Sequence, residues 1–262
     1  AGTEGMSLIT IREYGCLTTA PVPVPTLDRA QVTPSAFDWL CRFCEQEKDV
    51  ATLRTRQTLQ WKSFVGVLRT PCGLELEILP KTYSEVDDAA ACRAQLVPIL
   101  SKVLDVTCRE TGEADISLLA LPLTEWVARQ FLRHAHALVR RGLRFDYQRV
   151  EEEEPYLRGQ LDVRRQIGQL PHRRHLFHIR YDVFSADRPE NRLLRSALDV
   201  VVANVRAPEN WRLAASLRPL LSAVPPSQNI RADFARWQQD RLMADYAAVR
   251  PWCELVLGKY MP

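Results

Sequence analysis

Two neighbouring segments decide the fold of this chain: LRFDYQRVEEEEPYLRGQLDVRRQI at residues 143–167 and YDVFSADRPENRLLRSAL at residues 181–198. Both contain stretches rich in β-branched and aromatic residues, and Arg158 and Gly159 supply a turn. The second segment then continues into a helix. This order predicts paired strands that lead into helices. The predicted strands are Leu143–Arg149, Leu157–Val163 and Phe177–Phe184.

The helix predicted after these strands has a recognisable start. Asp187 and Glu190 have the spacing of a capping box, and Pro189 suits a first helical turn. Apolar residues then recur at helical spacing, which predicts one buried face. They are Leu194, Ala197, Leu198, Val201, Val202 and Val205.

Earlier in the chain, strand patterns precede helix patterns. Residues 64–69 and 74–79 are predicted to form a hairpin, because Thr70-Pro71-Cys72-Gly73 places a proline and a glycine between them. Ser35 is a candidate cap for a short helix that begins near Phe37. A long helix is predicted from Thr124 to Arg141.

These patterns define the fold class and the predicted domains. The class is α+β. A small β-rich N-terminal module is predicted at residues 7–85, followed by a mixed strand-and-helix domain at residues 86–262. Residues 1–6, which end at Met6, are typical of a remnant of cloning.

The composition excludes several classes of protein. Only five of the 35 basic residues are lysines and the net charge is +3, so arginine dominates. No run of about eighteen apolar residues could form a transmembrane helix, and no basic segment followed by an apolar core marks a secretory signal. The seven scattered cysteines suit a reducing compartment, which predicts a cytoplasmic protein.

Two groups of potential metal ligands do not amount to a metal site. Cys41 and Cys44 have the spacing of half a zinc site, but the remaining cysteines supply no second pair. His172, His175 and His178 are three residues apart, in a turn that leads into a strand, where this spacing does not align side chains. No metal site is therefore predicted.

Charge is concentrated in the middle of the chain. Between Arg129 and Arg195 there are fifteen arginines against nine acidic residues, and the acidic run Glu151–Glu154 is predicted to be a solvated loop. Such a region suits a nucleic-acid backbone or an acidic protein groove. It is equally consistent with an arginine-rich composition around core aromatics. The interleaved aromatic residues are Phe145, Tyr147, Tyr156, Phe177, Tyr181 and Phe184.

Two common catalytic motifs are absent from the sequence. Metal-dependent nucleases of the PD-(D/E)xK type need an acid two residues before a lysine, where the carboxylates hold Mg²⁺. The residues at that position are Gln46, Gln60, Leu79, Leu100 and Leu257. A GxxxxGK[ST] phosphate-binding loop is also missing. The chain as given is therefore not expected to be an enzyme.

Four segments together resemble the McrC family, the nuclease subunit of McrBC-type, 5-methylcytosine-specific restriction systems. They are GLELEILPKTY at 73–83, RGLRFDY at 141–147, YLRGQLDV at 156–163 and DRPENRLLRSAL at 187–198. The resemblance extends from about Gly73 to Met261. The family's C-terminal PD-(D/E)xK endonuclease domain has no counterpart, and the sequence ends where that domain would begin.

The resemblance implies a role in phage defence through a partner protein. In this family the N-terminal portion docks onto a hexameric AAA+ GTPase, McrB, inserts into its central pore and stimulates GTP hydrolysis. The partner supplies GTP and Mg²⁺, DNA is engaged through the assembled complex, and Mg²⁺ also serves the nuclease domain. No cofactor is expected in this chain.

The predicted site residues fall into two groups. The expected partner-binding residues are His172, Arg173, Arg174, Arg140, Arg141 and Arg144, since they are basic and close to predicted turns or helix ends. The family-motif residues expected to be structural are Arg158, Gly159, Asp187, Asn191 and Arg192. The alternative is an arginine-rich DNA-binding module that acts without a motor partner.

Overall fold

The structure, a computed structural model, confirms the α+β class. Contacts divide the chain into two compact units, Ala1–Val127 and Ala128–Pro262. The predicted domain boundary after residue 85 and the predicted cloning remnant at residues 1–6 lie outside the described residues and stay predictions. The described residues are 7–47, 49–81, 88–103, 121–238 and 243–259.

Within its described residues, the N-terminal unit contains two small sheets, one helix between their strands and two helices after them. One sheet has the strand order β3-β2-β5-β4 and the other the order β1-β7-β6. The strands are β1 Ser7–Arg12, β2 Cys16–Thr18, β3 Arg29–Gln31, β4 Ala51–Thr55, β5 Thr58–Trp61, β6 Gly66–Arg69 and β7 Leu74–Leu79. The helices are α1 Pro34–Gln46, α2 Ala89–Val103 and α3 Leu123–Arg141, the last of which continues into the second unit.

The predicted hairpin of β6 and β7 is confirmed. The Thr70 N–H donates to the Leu74 carbonyl at 2.9 Å, and Gly73 has a φ of +84° that its turn position requires. Helix α1 packs its apolar face against the strands. Its N-cap is Thr33 rather than the predicted Ser35, because the helix starts at Pro34, three residues before the predicted start near Phe37.

Strand β7 is buried along its whole length and contains two glutamates. It lies between β1, with which it pairs in parallel, and β6. Glu77 is fully buried; its carboxylate accepts two bonds from the Arg93 guanidinium, at 2.9 and 2.6 Å, and one from the Leu123 N–H at 2.8 Å. The Thr10 hydroxyl donates a fourth bond at 2.9 Å. This carboxylate therefore joins β1, α2 and the start of α3 to β7.

The second unit has one antiparallel sheet of order β8-β10-β9, followed by helices. Strands β8 and β10 pair over nine residues each, and β8 forms an edge of this sheet. The strands are β8 Asp146–Glu154, β9 Gln160–Leu161 and β10 Phe177–Ser185. The helices are α4 Val163–Ile167, α5 Pro189–Asn204, α6 Pro208–Leu217, α7 Ile230–Ala235 and α8 Ala244–Lys259, with 3₁₀ turns at Pro171–Arg173 and Pro219–Leu221.

Two predictions for this unit were wrong. Glu151–Glu154 is not a loop but the second half of β8, since each of these residues pairs across to β10. The capping box does not form, because α5 begins at Pro189 and its N-cap is Arg188. The Asp187 carboxylate instead contacts the Arg192 guanidinium at 2.8 Å, and Glu190 accepts from the Gln238 N–H at 2.9 Å.

A buried asparagine connects the start of the β8–β10 hairpin to two helices. The Asn191 amide donates to the carbonyls of Arg144 and Ala186, both at 2.8 Å, and accepts from the Tyr246 hydroxyl at 2.6 Å. That hydroxyl in turn accepts from the Arg144 N–H at 2.9 Å, and burial raises the pKa of Tyr246. The amide thus has three partners in a region without water access.

Replacing Asn191 by alanine is expected to lower the free energy of unfolding by about 2–3 kcal/mol, because two carbonyls and a hydroxyl lose a buried partner together. Urea unfolding followed by tryptophan fluorescence measures the loss. Ser216→Ala, a polar-to-alanine change on an exposed face of α6, should shift stability by less than about 0.5 kcal/mol. A loss below about 1 kcal/mol for Asn191→Ala would contradict the structural importance of this amide.

Within the described ranges, no helix is long and apolar enough to cross a membrane.

Candidate partner-binding projection

The chain between β8 and β10 forms a protruding insertion, which we call the projection and define as Pro155–Leu176. It contains β9, helix α4 and the 3₁₀ turn Pro171–Arg173. From Pro155 to His175 every residue is exposed except Asp162, Gln166 and Gln169. The segment therefore contributes little to the core and presents most of its side chains to solvent.

Asp162 connects the projection to strand β10 through a backbone hydrogen bond and an ion pair. Its N–H donates to the His178 carbonyl at 2.7 Å, and its buried carboxylate caps α4 by accepting from the Arg165 N–H at 3.1 Å. The Arg180 guanidinium contacts the other carboxylate oxygen. The Arg165 N–H, followed by Arg180, lowers the pKa of Asp162, so this carboxylate stays ionised at neutral pH.

Gln166 takes the place of a missing strand neighbour beside the start of β10. Its side-chain amide donates to the Leu176 carbonyl at 3.1 Å and accepts from the His178 N–H at 2.9 Å. Both backbone groups are thereby satisfied without a further strand. The base of the projection is consequently ordered, although its surface is exposed.

Arg158 and Gly159 form the point where the projection crosses β10. Gly159 has a φ of +70°, and a Cβ built there would lie 2.4 Å from the Arg180 carbonyl oxygen. The Arg158 guanidinium stacks on the Tyr181 ring at 4.1 Å from its centroid. The Tyr181 hydroxyl donates to Glu152, and this bond raises the pKa of Tyr181. The geometry explains why a glycine stands between two larger residues.

Replacing Gly159 by alanine is expected to destabilise the projection by about 2–3 kcal/mol, since the new methyl group meets backbone and the positive φ is strained. Limited proteolysis should then cleave within Pro155–Leu176 faster than in the parent protein. Gly168→Ala is the matched control, because its Cβ would lie 3.7 Å from the nearest backbone oxygen. Equal cleavage rates in the two variants would contradict the close approach at Gly159.

Large apolar side chains are exposed on the projection. Their exposed fractions range from 37% at Leu161 to 82% at Ile167. Contiguous exposed apolar residues typically indicate a binding surface. The sequence prediction missed this surface, because a strand at Leu157–Val163 would have placed several of these residues in a core. The exposed apolar residues are Tyr156, Leu157, Leu161, Val163, Ile167 and Leu170.

The three predicted basic residues of the turn lie on the same projection. His172 and Arg173 belong to its 3₁₀ turn, Arg174 follows it, and all three are exposed. Arg173 contacts the Glu153 carboxylate at 3.4 Å. Within the described part of the chain, the side chains of His172 and Arg174 have no ion-pair partner. Cationic and apolar groups thus share one exposed segment.

The other predicted basic residues lie at the opposite end of the hairpin. Arg140 and Arg141 end α3, where Arg141 pairs with Asp245, and Arg144 precedes β8. Strand β8 has nine residues, so at about 3.4 Å per residue the two groups are separated by roughly 27 Å along the hairpin. Arg141 and Arg144 border a small pocket of about 270 Å³. The structure therefore does not bring the two predicted basic groups together.

Among the described residues, no group of three or more His, Cys, Asp or Glu side chains could hold a metal ion. His178 lies on β10 beside Glu153, whereas His172 and His175 lie in the projection. The acidic run is part of β8, where successive residues point to opposite faces of the sheet. The carboxylates of Glu151 and Glu153 contact arginines, and that of Glu152 accepts a hydrogen bond from Tyr181.

The remaining family-motif residues lie in the helical part of this unit. Arg192 contacts Asp187 and also Asp233, the latter at 3.5 Å. Asp233 is buried and accepts from the Ser227 hydroxyl at 2.6 Å. Asn191, next in sequence, holds the start of the hairpin as described above. These residues fix the base from which the hairpin and its projection extend.

A sequence profile of the family described as McrBC 5-methylcytosine restriction system component matches residues 59–262. The match includes well over half of the chain, and both the hairpin and the projection lie inside it. The chain belongs to the McrC family. The resemblance that the sequence motifs indicated is confirmed.

Two solved structures have folds similar to this McrC-family chain. One is a half-complex from a tetradecameric assembly of Thermococcus gammatolerans McrB AAA+ hexamers with bound McrC; the similarity has a TM-score of 0.65 at 20% identity and covers 95% of this chain. The other is the cryo-EM structure of the Thermococcus gammatolerans McrBC complex, with a TM-score of 0.64 at 18% identity and 96% coverage. At these identities the similarity concerns the fold.

The McrC-family chain spans 64% of the length of the matched chain in the first structure and 80% in the second. A comparison with curated protein sequences finds no significant match.

Proposed function

We propose that this chain is the partner-binding, GTPase-stimulating part of a McrC protein in a modification-dependent restriction system. The projection would dock onto a hexameric McrB-like AAA+ GTPase and raise its rate of GTP hydrolysis. GTP and Mg²⁺ would be bound by the partner, and DNA would be engaged by the assembled complex. The chain itself would not be an enzyme, and hydrolysis would be coupled to a nuclease domain outside it.

The observation that supports this proposal most directly is the surface of the projection. Buried apolar anchors supply most of the affinity in protein interfaces, and arginine is enriched among the residues whose loss costs most. The projection presents both kinds of side chain on a segment that adds little to its own core. Its base, by contrast, is fixed by Asp162 and Gln166, so little conformational freedom is lost there when a partner binds.

Stimulation would be electrostatic. An arginine placed near a partner's nucleotide or its catalytic residues stabilises the charge that develops on the transferred phosphoryl group. Arg174 has no ion-pair partner within the described residues, and Arg173 has only a long contact with Glu153. These two guanidinium groups are therefore available for a new contact. Arg140, Arg141 and Arg144 could contact only a different part of the partner, since they lie at the far end of the hairpin.

The proposal is tested by measuring GTP turnover by the cognate AAA+ partner with and without this chain. Stimulation well above the partner's own rate, together with a complex on a sizing column, is expected. DNA cleavage should not occur in the mixture. The absence of both stimulation and a complex would exclude the proposal.

One further observation favours the alternative of a DNA-binding module without a motor partner. Phe145, Tyr147 and Phe184 form an exposed aromatic cluster on one face of the hairpin, with ring centroids 5.0 and 5.1 Å apart. Exposed rings beside an arginine such as Arg149 are typical of surfaces on which bases stack. Direct DNA binding that weakens steeply with rising salt, in the absence of any partner, would favour this alternative.

A further inference from the structure

Helices α5 and α6 form an open groove on the second unit, separate from the projection. The groove has a volume of about 440 Å³, a size within the range of ligand-binding clefts. Val202 and the small side chains of Ala214 and Ala215 border it. The other main lining residues are Arg195, Trp211 and Arg218.

The groove has an aromatic end and a cationic end. Trp211 and Ala215 lie on α6, and Arg218 directly follows its last residue in a helical conformation. Ala215 and Arg218 are four and seven residues after Trp211, so the three lie along one face. On α5, Arg195 and Val202 are also seven residues apart. The Arg195 guanidinium donates to the Leu221 carbonyl at 3.1 Å, which places it beside Arg218. Val202 and Trp211 therefore form the opposite end.

Only one of the two guanidinium groups is available to a ligand. Arg195 contacts the Asp199 carboxylate at 2.9 Å in addition to the Leu221 carbonyl. The exposed Arg218 side chain has no ion-pair partner among the residues that the structure describes. The Trp211 side chain is 57% exposed and has no ring partner in that part of the chain. The groove thus offers one large apolar surface and one free positive charge.

This spacing favours a particular ligand chemistry. Trp211 and Arg218 are separated by about 10 Å along the helix axis, at 1.5 Å per residue. An extended peptide covers that distance in about three residues. A nucleic acid strand is held by a row of cations along its backbone, and the neighbouring Arg212 lies on a different face of α6 from Trp211 and Arg218. A peptide with one carboxylate fits the groove better.

We propose that this groove binds a linear segment of a partner protein in which a bulky apolar side chain and a carboxylate lie about three residues apart. The apolar side chain packs on Trp211, Val202 and the two alanines. The carboxylate pairs with Arg218, while Arg195 keeps its internal partners. This contact is independent of docking by the projection, because the two surfaces share no residue.

The test uses a phage-displayed library of random peptides of about twelve residues, which is longer than the groove. Selection on the wild-type chain should enrich peptides that have Asp or Glu about three positions from Leu, Ile, Phe or Trp. Selection on Arg218→Glu should enrich peptides with Lys or Arg at the acidic position instead. An enriched peptide, labelled with fluorescein, then provides dissociation constants by fluorescence polarisation.

Trp211→Ala and Arg218→Glu are expected to weaken binding of that peptide at least about tenfold, as for interface anchors. Arg212→Glu is the charge-matched control and should change binding by less than about twofold. All three side chains are exposed, so thermal unfolding should be unaffected. Enrichment of peptides without an acidic residue, or equal binding to Arg218→Glu, would overturn the proposal. So would Trp211-dependent binding of an oligo-dT strand, or a concentration-dependent dimer that Trp211→Ala abolishes.

Discussion

Replacing Glu77 by alanine is expected to lower the free energy of unfolding by about 3–5 kcal/mol, the range found when one member of a buried ion pair is removed. The variant removes the carboxylate that accepts two hydrogen bonds from the buried Arg93 guanidinium. The Leu123 N–H and the Thr10 hydroxyl lose their acceptor as well. Because whole domains are stable by only about 5–15 kcal/mol, this single change should leave much of the chain unfolded at moderate urea concentrations.

Urea denaturation followed by tryptophan fluorescence measures this effect as a lower midpoint. Glu45→Ala, which removes an exposed carboxylate from α1, is the control and should cost less than about 0.5 kcal/mol. Glu77→Leu combined with Arg93→Met should recover most of the loss, because the double variant removes both members of the buried ion pair and fills their space with apolar side chains. A double variant no more stable than Glu77→Ala would show that the charge pair is not the cause.

Reversing the charge at Arg173 and Arg174 together is expected to reduce stimulation of the partner's GTP turnover by about 10–100-fold. The two cations of the projection become anions. These anions would then repel a partner surface whose charge is complementary to arginine. The stability of the chain should be nearly unchanged, since both side chains are exposed. Steady-state GTP hydrolysis at several concentrations of this chain separates weaker binding from weaker stimulation at saturation.

Arg231→Glu with Arg236→Glu provides the matched control, because both arginines are exposed and lie at α7, outside the projection. This pair should stimulate GTP turnover as the parent chain does. A second comparison, Arg140→Glu with Arg141→Glu, reports on the far end of the hairpin. If Arg173→Glu with Arg174→Glu stimulates normally, the projection is not the stimulating element.

Turn residues and apolar spacing in the sequence predicted the elements whose conformation depends on neighbouring residues. The β6–β7 hairpin follows from its own turn residues, and the helices follow from apolar spacing. The burial of Glu77 could not be predicted, since it depends on the parallel pairing of β7 with β1, whose residues lie more than sixty positions earlier. The capping box failed because Arg192 binds Asp187 and the Gln238 N–H binds Glu190, contacts that sequence spacing alone does not indicate.

The projection illustrates a second limit. Its basic turn was predicted from charge density, but the apolar residues beside it were assigned to a strand. Of the predicted strand Leu157–Val163, only Gln160 and Leu161 pair with β10. The chain then leaves the sheet, because Asp162 caps α4. Alternating apolar residues indicate burial. The pattern does not distinguish burial in the chain's own core from burial in an interface with a second protein.

The position of β8 at the edge of its sheet has a consequence for the solution behaviour of the protein. A nine-residue edge strand with free backbone groups can pair with the same strand of another copy, which is a common route to aggregation. In β8 four of these residues are consecutive glutamates, present on both faces of the strand. A second copy paired in parallel and in register would place each glutamate opposite a glutamate, and such like-charge pairs are destabilising. The acidic run thus disfavours that pairing between copies.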